Sequence, residues 1–447
     1  MDANHQVYYA AHIAEIQSRW EEALESEGCS AVLVHSGTPL VSFLDDYEYP
    51  FRPNPLFLSW LPLTRHHDSA LLIASGRRPR LFYYQPVDYW YLPPADPESW
   101  WADHFDIQVV RDAEGWSRAL EDSLRAISVD VRDVAAIGDS PALKGHFDES
   151  RINPEGLITR LHLQRTRKTS YEIACMREAT ALAARAHKAA ETAFRAGESE
   201  FGIHMRYIDA AGHTDAELPY ASIVALNHHG AVLHYQGREQ QAPAQQHSFL
   251  IDAGAAVNAY AADVTRTYAA EEGAFADLVT AMDEVQQDLA GRVAPGVDYR
   301  QLHLLAHSRI AGVLEAAGII RVSADEAVET GLSSVFFPHG LGHFLGLQVH
   351  DVAGLVDNDG DAIARPQGHP YLRLTRVLEA GNTLTIEPGL YFIEPLLRHW
   401  REQREPGVID WELVEQLAPC GGIRIEDNVV VTDTGCENLT REAFGSL

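Results

Sequence analysis

The stretch FLIDAGAAVNAYAADVTRTY, residues 249–268, constrains this chain more than any other. Its halves are rich in apolar and β-branched residues and flank Val257-Asn258, which predicts a β-hairpin with a tight turn. With those two residues as the loop, Asp252 stands directly across from Asp263, their Cβ atoms roughly 5 Å apart on one face. Like charges so placed repel, and burying an unpaired carboxylate is costly. Either one strand is a solvated edge, or something positive lies between the acids.

Three more stretches bear on that choice. FFPHGLGHFLGLQVHD (336–351) carries His339, His343 and His350 in an apolar setting. TLTIEPGLYF (383–392) sets Glu387 among strand formers beside a turn, and GGIRIEDNVVV (421–431) places Glu426 in an alternating strand. Taken singly, each residue fits a satisfied structural role. Together, four acids in core-like strands would each cost several kcal/mol if buried charged and unpaired. Two divalent cations would balance the four carboxylates.

The rest of the chain sets bounds. At 447 residues, 46% hydrophobic and 22% charged, it has an ordinary globular composition with room for two or three domains. The polar start MDANHQVYYAAHIAEIQSRW lacks the basic-then-apolar order of a signal peptide, and no apolar run approaches the ~18 residues of a membrane span. A cytoplasmic location away from membranes is expected. A net charge of -29 argues against nucleic acid as a partner. Cys29, Cys175, Cys420 and Cys436 are too scattered for a cysteine-built zinc site or a disulfide framework.

Residues 1–160 alternate a helix with short strands (SAVLVHSG, SALLIAS, RLFYYQP, DIQVVRD, VAAIGD), the pattern of an α/β domain with a mixed sheet. The basic stretch 151–168 reads as a junction. Thr169 and Glu172 have capping-box spacing ahead of an Ala-rich helix that ends near Gly197. Residues 165–447 then read as an α+β domain holding the acidic hairpin, with 355–370 a surface loop. The aromatic-rich YEYPFRPNPLFLSWLP, directly after Asp45 and Asp46, reads as an interface.

The phrases LIDAGA, YAADVTRTY, PHGLGH, TIEPGLYF and GGIRIEDN resemble those of the pita-bread metallopeptidases, which include methionine aminopeptidase, aminopeptidase P, prolidase and creatinase. The chain is most similar to the Xaa-Pro dipeptidases (prolidases), particularly the bacterial organophosphorus acid anhydrolase type, to which FLDDYEYPFRPNPLFLSWLP extends the resemblance. The resemblance implies an α/β N-terminal domain followed by a pita-bread catalytic domain. It implies two metal ions per subunit, with Asp263 and Glu426 bridging, Asp252 on one ion, and His343 with Glu387 on the other. The oxygen-rich set suits Mn²⁺, with Co²⁺, Fe²⁺ or Zn²⁺ as alternatives. It further implies that a metal-bridging hydroxide attacks the carbonyl of an Xaa-Pro dipeptide while Glu387 moves the proton.

His350 would stabilise the developing oxyanion, His234 and His339 would line the proline side, and Arg373 would meet the substrate carboxylate. Arg424 and Tyr220 would support the ligands or the pocket. Asp45 of a second copy would meet the substrate amine, which makes a homodimer the expected working unit. Tetrahedral phosphorus resembles the peptide-hydrolysis intermediate, so side activity on organophosphorus esters is implied as well. The alternatives are an aminopeptidase P acting on longer Xaa-Pro peptides and a non-catalytic binding protein on the same fold. Retention of all five ligands speaks against the latter.

Overall fold

Short apolar runs bounded by turn residues build the N-terminal sheet. In a computed structural model, which describes residues 4–139, 141–404 and 406–447, five strands form one sheet. They are β1 (Ala31–His35), β2 (Ala70–Ala74), β3 (Arg80–Tyr84), β4 (Asp106–Val110) and β5 (Val134–Ile137), in the order β4-β3-β2-β1-β5. The β1–β5 and β3–β4 pairs are parallel and the others antiparallel, so the sheet is mixed. β1, β2 and β5 are buried along their whole length, which explains their unbroken apolar sequences. The amphipathic helix Ala113–Ala126 lays Trp116, Leu120 and Leu124 into the same core as Leu33 and Phe82.

The chain divides into two compact units, one of residues 1–165 and 169–174, the other of 166–168 and 175–447. The capping box opens the helix Ser170–Arg195. Thr169 N donates to the Glu172 carboxylate at 2.7 Å, and Glu172 N donates to Thr169 Oγ1 at 3.4 Å. The aromatic segment expected at an interface divides in two. Phe57, Trp60 and Leu61 are buried in the first unit, whereas Tyr47 is 61% exposed.

Among its described residues the second unit has ten short strands: β6 (Ile223–Leu226), β7 (Ser248–Asp252), β8 (Ala256–Val257), β9 (Tyr260–Ala261), β10 (Thr265–Ala269), β11 (Thr383–Ile386), β12 (Gly389–Tyr391), β13 (Gly422–Arg424), β14 (Asp427–Val431) and β15 (Cys436–Asn438). They pair antiparallel as β10-β7-β6, β11-β14-β15, β12-β13 and β8-β9. Helices Ala274–Ala290 and Tyr299–Ala316 share a core with these strands through Met282, Leu289, Ile310, Leu384 and Ile423. No described helix is long and apolar enough to cross a membrane.

The acidic hairpin forms, but its register differs from the sequence-based expectation. Asp252 pairs with Thr265 and Val257 with Tyr260, so the two-residue loop is Asn258-Ala259. Both loop residues are left-handed, with φ of 51° and 70°. Such a turn needs two positive φ values; Asn tolerates one readily, whereas the β-branched Val257 does not. The two-residue slip makes Asp263 a diagonal rather than a facing neighbour of Asp252. A slip of two preserves strand parity, so the side-chain pattern along the hairpin survives it.

One glycine is required by close approach. At Gly342 (φ 157°) a Cβ would stand 2.2 Å from the Thr385 carbonyl oxygen and 2.5 Å from Tyr299 Oη. Its absence lets the 338–345 loop lie against β11. There Thr385 N donates to His343 O at 2.9 Å, and Glu387 N donates to Leu341 O at 2.8 Å. Gly342→Ala should therefore destabilise the protein by at least the roughly 1–3 kcal/mol of an overpacked core. Gly312→Ala, in a helix interior with open space around its Cβ, should stabilise it by about 0.5–1 kcal/mol. Urea unfolding midpoints check both; an unperturbed Gly342→Ala contradicts the contact.

Candidate metal centre

The four acids stand at strand ends and breaks. Asp252 ends β7, Asp263 lies between β9 and β10, Glu387 between β11 and β12, and Glu426 between β13 and β14. The stretch around Glu426, expected as one strand, is interrupted there. Glu426 N donates to Thr265 O at 3.0 Å, and the two residues form an isolated bridge. His343 enters on the loop that Gly342 allows against β11.

One ligand atom from each of Asp263, His343 and Glu426 lies within 4.8 Å of the others, and all three residues are buried. His343 Nε2 is 3.5 Å from Asp263 Oδ2 and 3.6 Å from Glu387 Oε1. These separations are long for hydrogen bonds. They fit donors that share a cation at ~2.0–2.2 Å, which stand about 3–3.5 Å apart. Other oxygens are anchored from outside. Tyr220 Oη donates to Asp263 Oδ1 (2.5 Å), Thr265 Oγ1 to Glu426 Oε2 (2.7 Å), and Arg424 Nη2 to Asp252 Oδ2 (2.7 Å). Asp252 Oδ1 is buried with no hydrogen-bond partner. A cation would satisfy that orphaned oxygen, and the donor set fits one.

The electrostatics point the same way. Arg424, itself buried, sets one guanidinium among four carboxylates. Burial raises Asp252, against the pull of Arg424 and with a push from Asp263. Burial, then the charges of Asp263 and Glu387, drive Glu426 well above the carboxylate range. Glu387 is pushed up to about 7, mostly by burial, although His343 opposes the shift. Burial lowers His343, but contact with Asp263 and the charge of Glu387 outweigh it and leave the ring raised. The pocket disfavours its own charges until positive charge enters.

The other predicted site residues fall into two groups. His339 Nε2 is 2.8 Å from Tyr391 Oη, and burial followed by the Arg424 charge lowers this ring to about 3. His350 meets His343 edge-on at 4.4 Å and is lowered to about 4 by burial, then by His343 and Arg373. Both are neutral near pH 7. His234 and Arg373 are exposed, close enough for His350 to feel their charge. Asp45 is exposed in the first unit, where its Oδ1 accepts from Asp46 N at 2.8 Å. The structure thus brings together Asp252, Asp263, His343, Glu387, Glu426, Arg424, Tyr220, His339 and His350.

Sequence reasoning missed Tyr391, which receives Arg424 Nη1 at 2.9 Å while contacting His339. The β12–β13 pairing that brings Tyr391 near Arg424 was the only available signal. It also missed Thr265 and Asn428, whose Oδ1 accepts from Asp263 N at 3.2 Å.

Comparison with known proteins shows the family and the fold. Residues 7–163 match the family model described as "Xaa-Pro dipeptidase, N-terminal domain", and residues 174–433 match "Metallopeptidase family M24". The chain is 48% identical over 442 residues to an Xaa-Pro dipeptidase of Xanthomonas campestris pv. campestris (strain B100), covering 98% of both chains. It is 47% identical over 440 residues to one from Stenotrophomonas maltophilia (strain K279a), covering 98% of this chain and 97% of the relative. Among solved structures, Zn-substituted E. coli aminopeptidase P in complex with product superposes with a TM-score of 0.72 at 22% identity, over 96% of this chain and 95% of that one. That likeness establishes the shared fold.

The raised carboxylates predict a pH dependence for chelator-treated protein. A carboxyl raised from 4.5 to about 7 on folding contributes stability that is fully present below pH 4.5 and lost as pH rises through about 7. Metal-free protein should therefore lose stability across that window, and Mn²⁺ should restore it at the upper end. A melting midpoint that is flat with pH in the chelated protein, or indifferent to Mn²⁺, contradicts this.

Proposed function

The chain belongs to metallopeptidase family M24, in the branch carrying the Xaa-Pro dipeptidase N-terminal domain, and on that premise we propose that it hydrolyses Xaa-Pro dipeptides at a two-cation centre. The buried carboxylate cluster carries the reading, with its orphaned Asp252 oxygen and its His343 spacing. The proposed ligands are Asp252, Asp263, His343, Glu387 and Glu426. Asp263 and Glu426 would serve both cations, Asp252 one, and His343 with Glu387 the other. Mn²⁺ is the proposed ion, because oxygen donors dominate and thiolates are missing from the set.

When bound, the cations acidify a water and polarise the scissile carbonyl. Glu387, anchored beside Thr385, accepts the proton and passes it to the leaving proline nitrogen. His350, neutral near pH 7, offers a ring N–H to the oxyanion, and His339, held by Tyr391, lines the proline side with His234. Arg373 projects from the exposed side, free to pair bidentately with the substrate carboxylate. Organophosphorus esters, being tetrahedral, are accommodated as a side activity.

A carboxylate clamp distinguishes dipeptides from longer chains. With Mn²⁺ added, kcat/KM for Xaa-Pro should far exceed that for Xaa-Pro-Yaa, and Arg373→Ala should reduce the dipeptide value by roughly ten- to a hundredfold, the loss of one charged hydrogen bond or pair. Equal turnover of both substrates would sink the dipeptidase reading in favour of an aminopeptidase P.

The working unit is proposed to be a homodimer in which Asp45 of one copy meets the substrate amine at the other's centre. Phe43 and Leu44 beside it are 88% and 90% exposed, and Trp90 and Leu92 are 78% and 96% exposed in the same unit, apolar surface that an interface would cover. Asp45→Ala mixed with Asp263→Asn should regain activity, since one hybrid site receives wild-type ligands and a wild-type Asp45. A fully active monomer, or no recovery from subunits shown to exchange, contradicts the arrangement.

A further inference from the structure

Three histidines outside the carboxylate centre form a second cluster of donors. His303 and His307 lie one turn apart on the helix Tyr299–Ala316 and so share a face. His369 joins them from the loop after Pro366. The ring centroids are 4.8 Å apart for His303–His307, 4.6 Å for His303–His369 and 4.5 Å for His307–His369. One nitrogen from each ring lies within 4.8 Å of the other two.

The hydrogen bonding of these rings is incomplete. His303 and His307 are each 1% exposed. Neither His303 nitrogen has a partner, and neither has His307 Nε2. A buried donor or acceptor left unsatisfied is normally avoided. His307 Nδ1 lies 3.0 Å from Ser333 Oγ. With Nδ1–H donating there, Nε2 is left unprotonated and open to a cation, the way a hydrogen bond commonly sets a ligand's tautomer. Burial, then the neighbouring histidines, lowers His303 to about 2 and His307 to about 3. Both rings are therefore already in the neutral form that a metal requires.

We propose that His303, His307 and His369 bind one zinc-type divalent cation, at a site separate from the carboxylate centre. Three imidazoles suit zinc rather than the hard cations that carboxylates favour. Nitrogens around tetrahedral zinc stand about 3.3 Å apart at bonds of ~2.0–2.1 Å, within reach of small ring movements from the present spacing. His369 is only partly buried and its loop lies at the surface, which gives a fourth position for water and a path of entry. The Phe337 ring packs against His307 and against His339, both at 4.8 Å, so the cluster lies behind the wall of the candidate substrate pocket. A bound cation ties the loop leading to Arg373 onto the helix.

The test is zinc stoichiometry at buffered low free zinc, on the full chain after saturation with Mn²⁺. Wild type should bind one more equivalent than His369→Ala, and the same difference should persist when both carry Asp263→Asn, so failure of the carboxylate reading does not affect the outcome. His303→Leu should lose the same equivalent while melting no lower than wild type without zinc, because it removes two unsatisfied buried nitrogens. Zinc should raise the melting midpoint of Asp263→Asn but not of the Asp263→Asn, His369→Ala double variant. No difference in zinc bound between wild type and both histidine variants overturns the proposal.

Discussion

Burial of carboxylates, with their mutual repulsion added to it, is the constraint on which the catalytic unit turns. Asp263 and Glu426 are buried and Asp252 and Glu387 mostly so, with Arg424 as their buried counter-charge. Left so, several of them favour protonation. Divalent cations reverse that preference, because two positive charges at ~2 Å outweigh the desolvation that a lone carboxylate suffers. The proposed chemistry uses the same imbalance that makes the gathered carboxylates unfavourable on their own.

The surrounding structure holds the acids in that position. Three strand breaks and one strand end present them, and hydroxyl, phenol and guanidinium donors orient the oxygens that face away from the centre. Gly342 admits the His343 loop against β11, where backbone hydrogen bonds fix its height. Paired strands thus hold the short breaks that carry most of the ligands, and a single close-packed loop supplies the imidazole. Such support holds a site to the sub-ångström tolerance that catalysis needs.

Much of this was legible in the sequence, for identifiable reasons. Four of the five N-terminal strands, β1, β2, β3 and β5, are buried along most of their length and therefore spell out apolar runs, whereas β4 is largely exposed; the Thr169–Glu172 box is a local signal for a local structure. The hairpin was visible but its register was not. Val257-Asn258 and Asn258-Ala259 both centre on Asn258, and only the backbone shows that Ala259 takes the second positive φ. Tyr391 and Thr265 are ordinary strand residues until pairing sets them beside Arg424 and Glu426. His369 lies more than sixty positions from the two helix histidines it meets, a juxtaposition that no periodicity encodes. The aromatic segment after Asp46 reads as one piece in sequence, but Phe57 and Trp60 are core while Tyr47 is surface.

The most direct test of the account is metal content. Wild-type protein reconstituted with Mn²⁺ and freed of excess should hold close to two equivalents per chain, and Asp263→Asn should lose most of both, since the proposed bridging carboxylate serves each ion. Loss of both ions together, with the fold intact by circular dichroism, is the predicted result. An Asp263→Asn chain that retains two equivalents and full peptidase activity would contradict the shared-carboxylate centre.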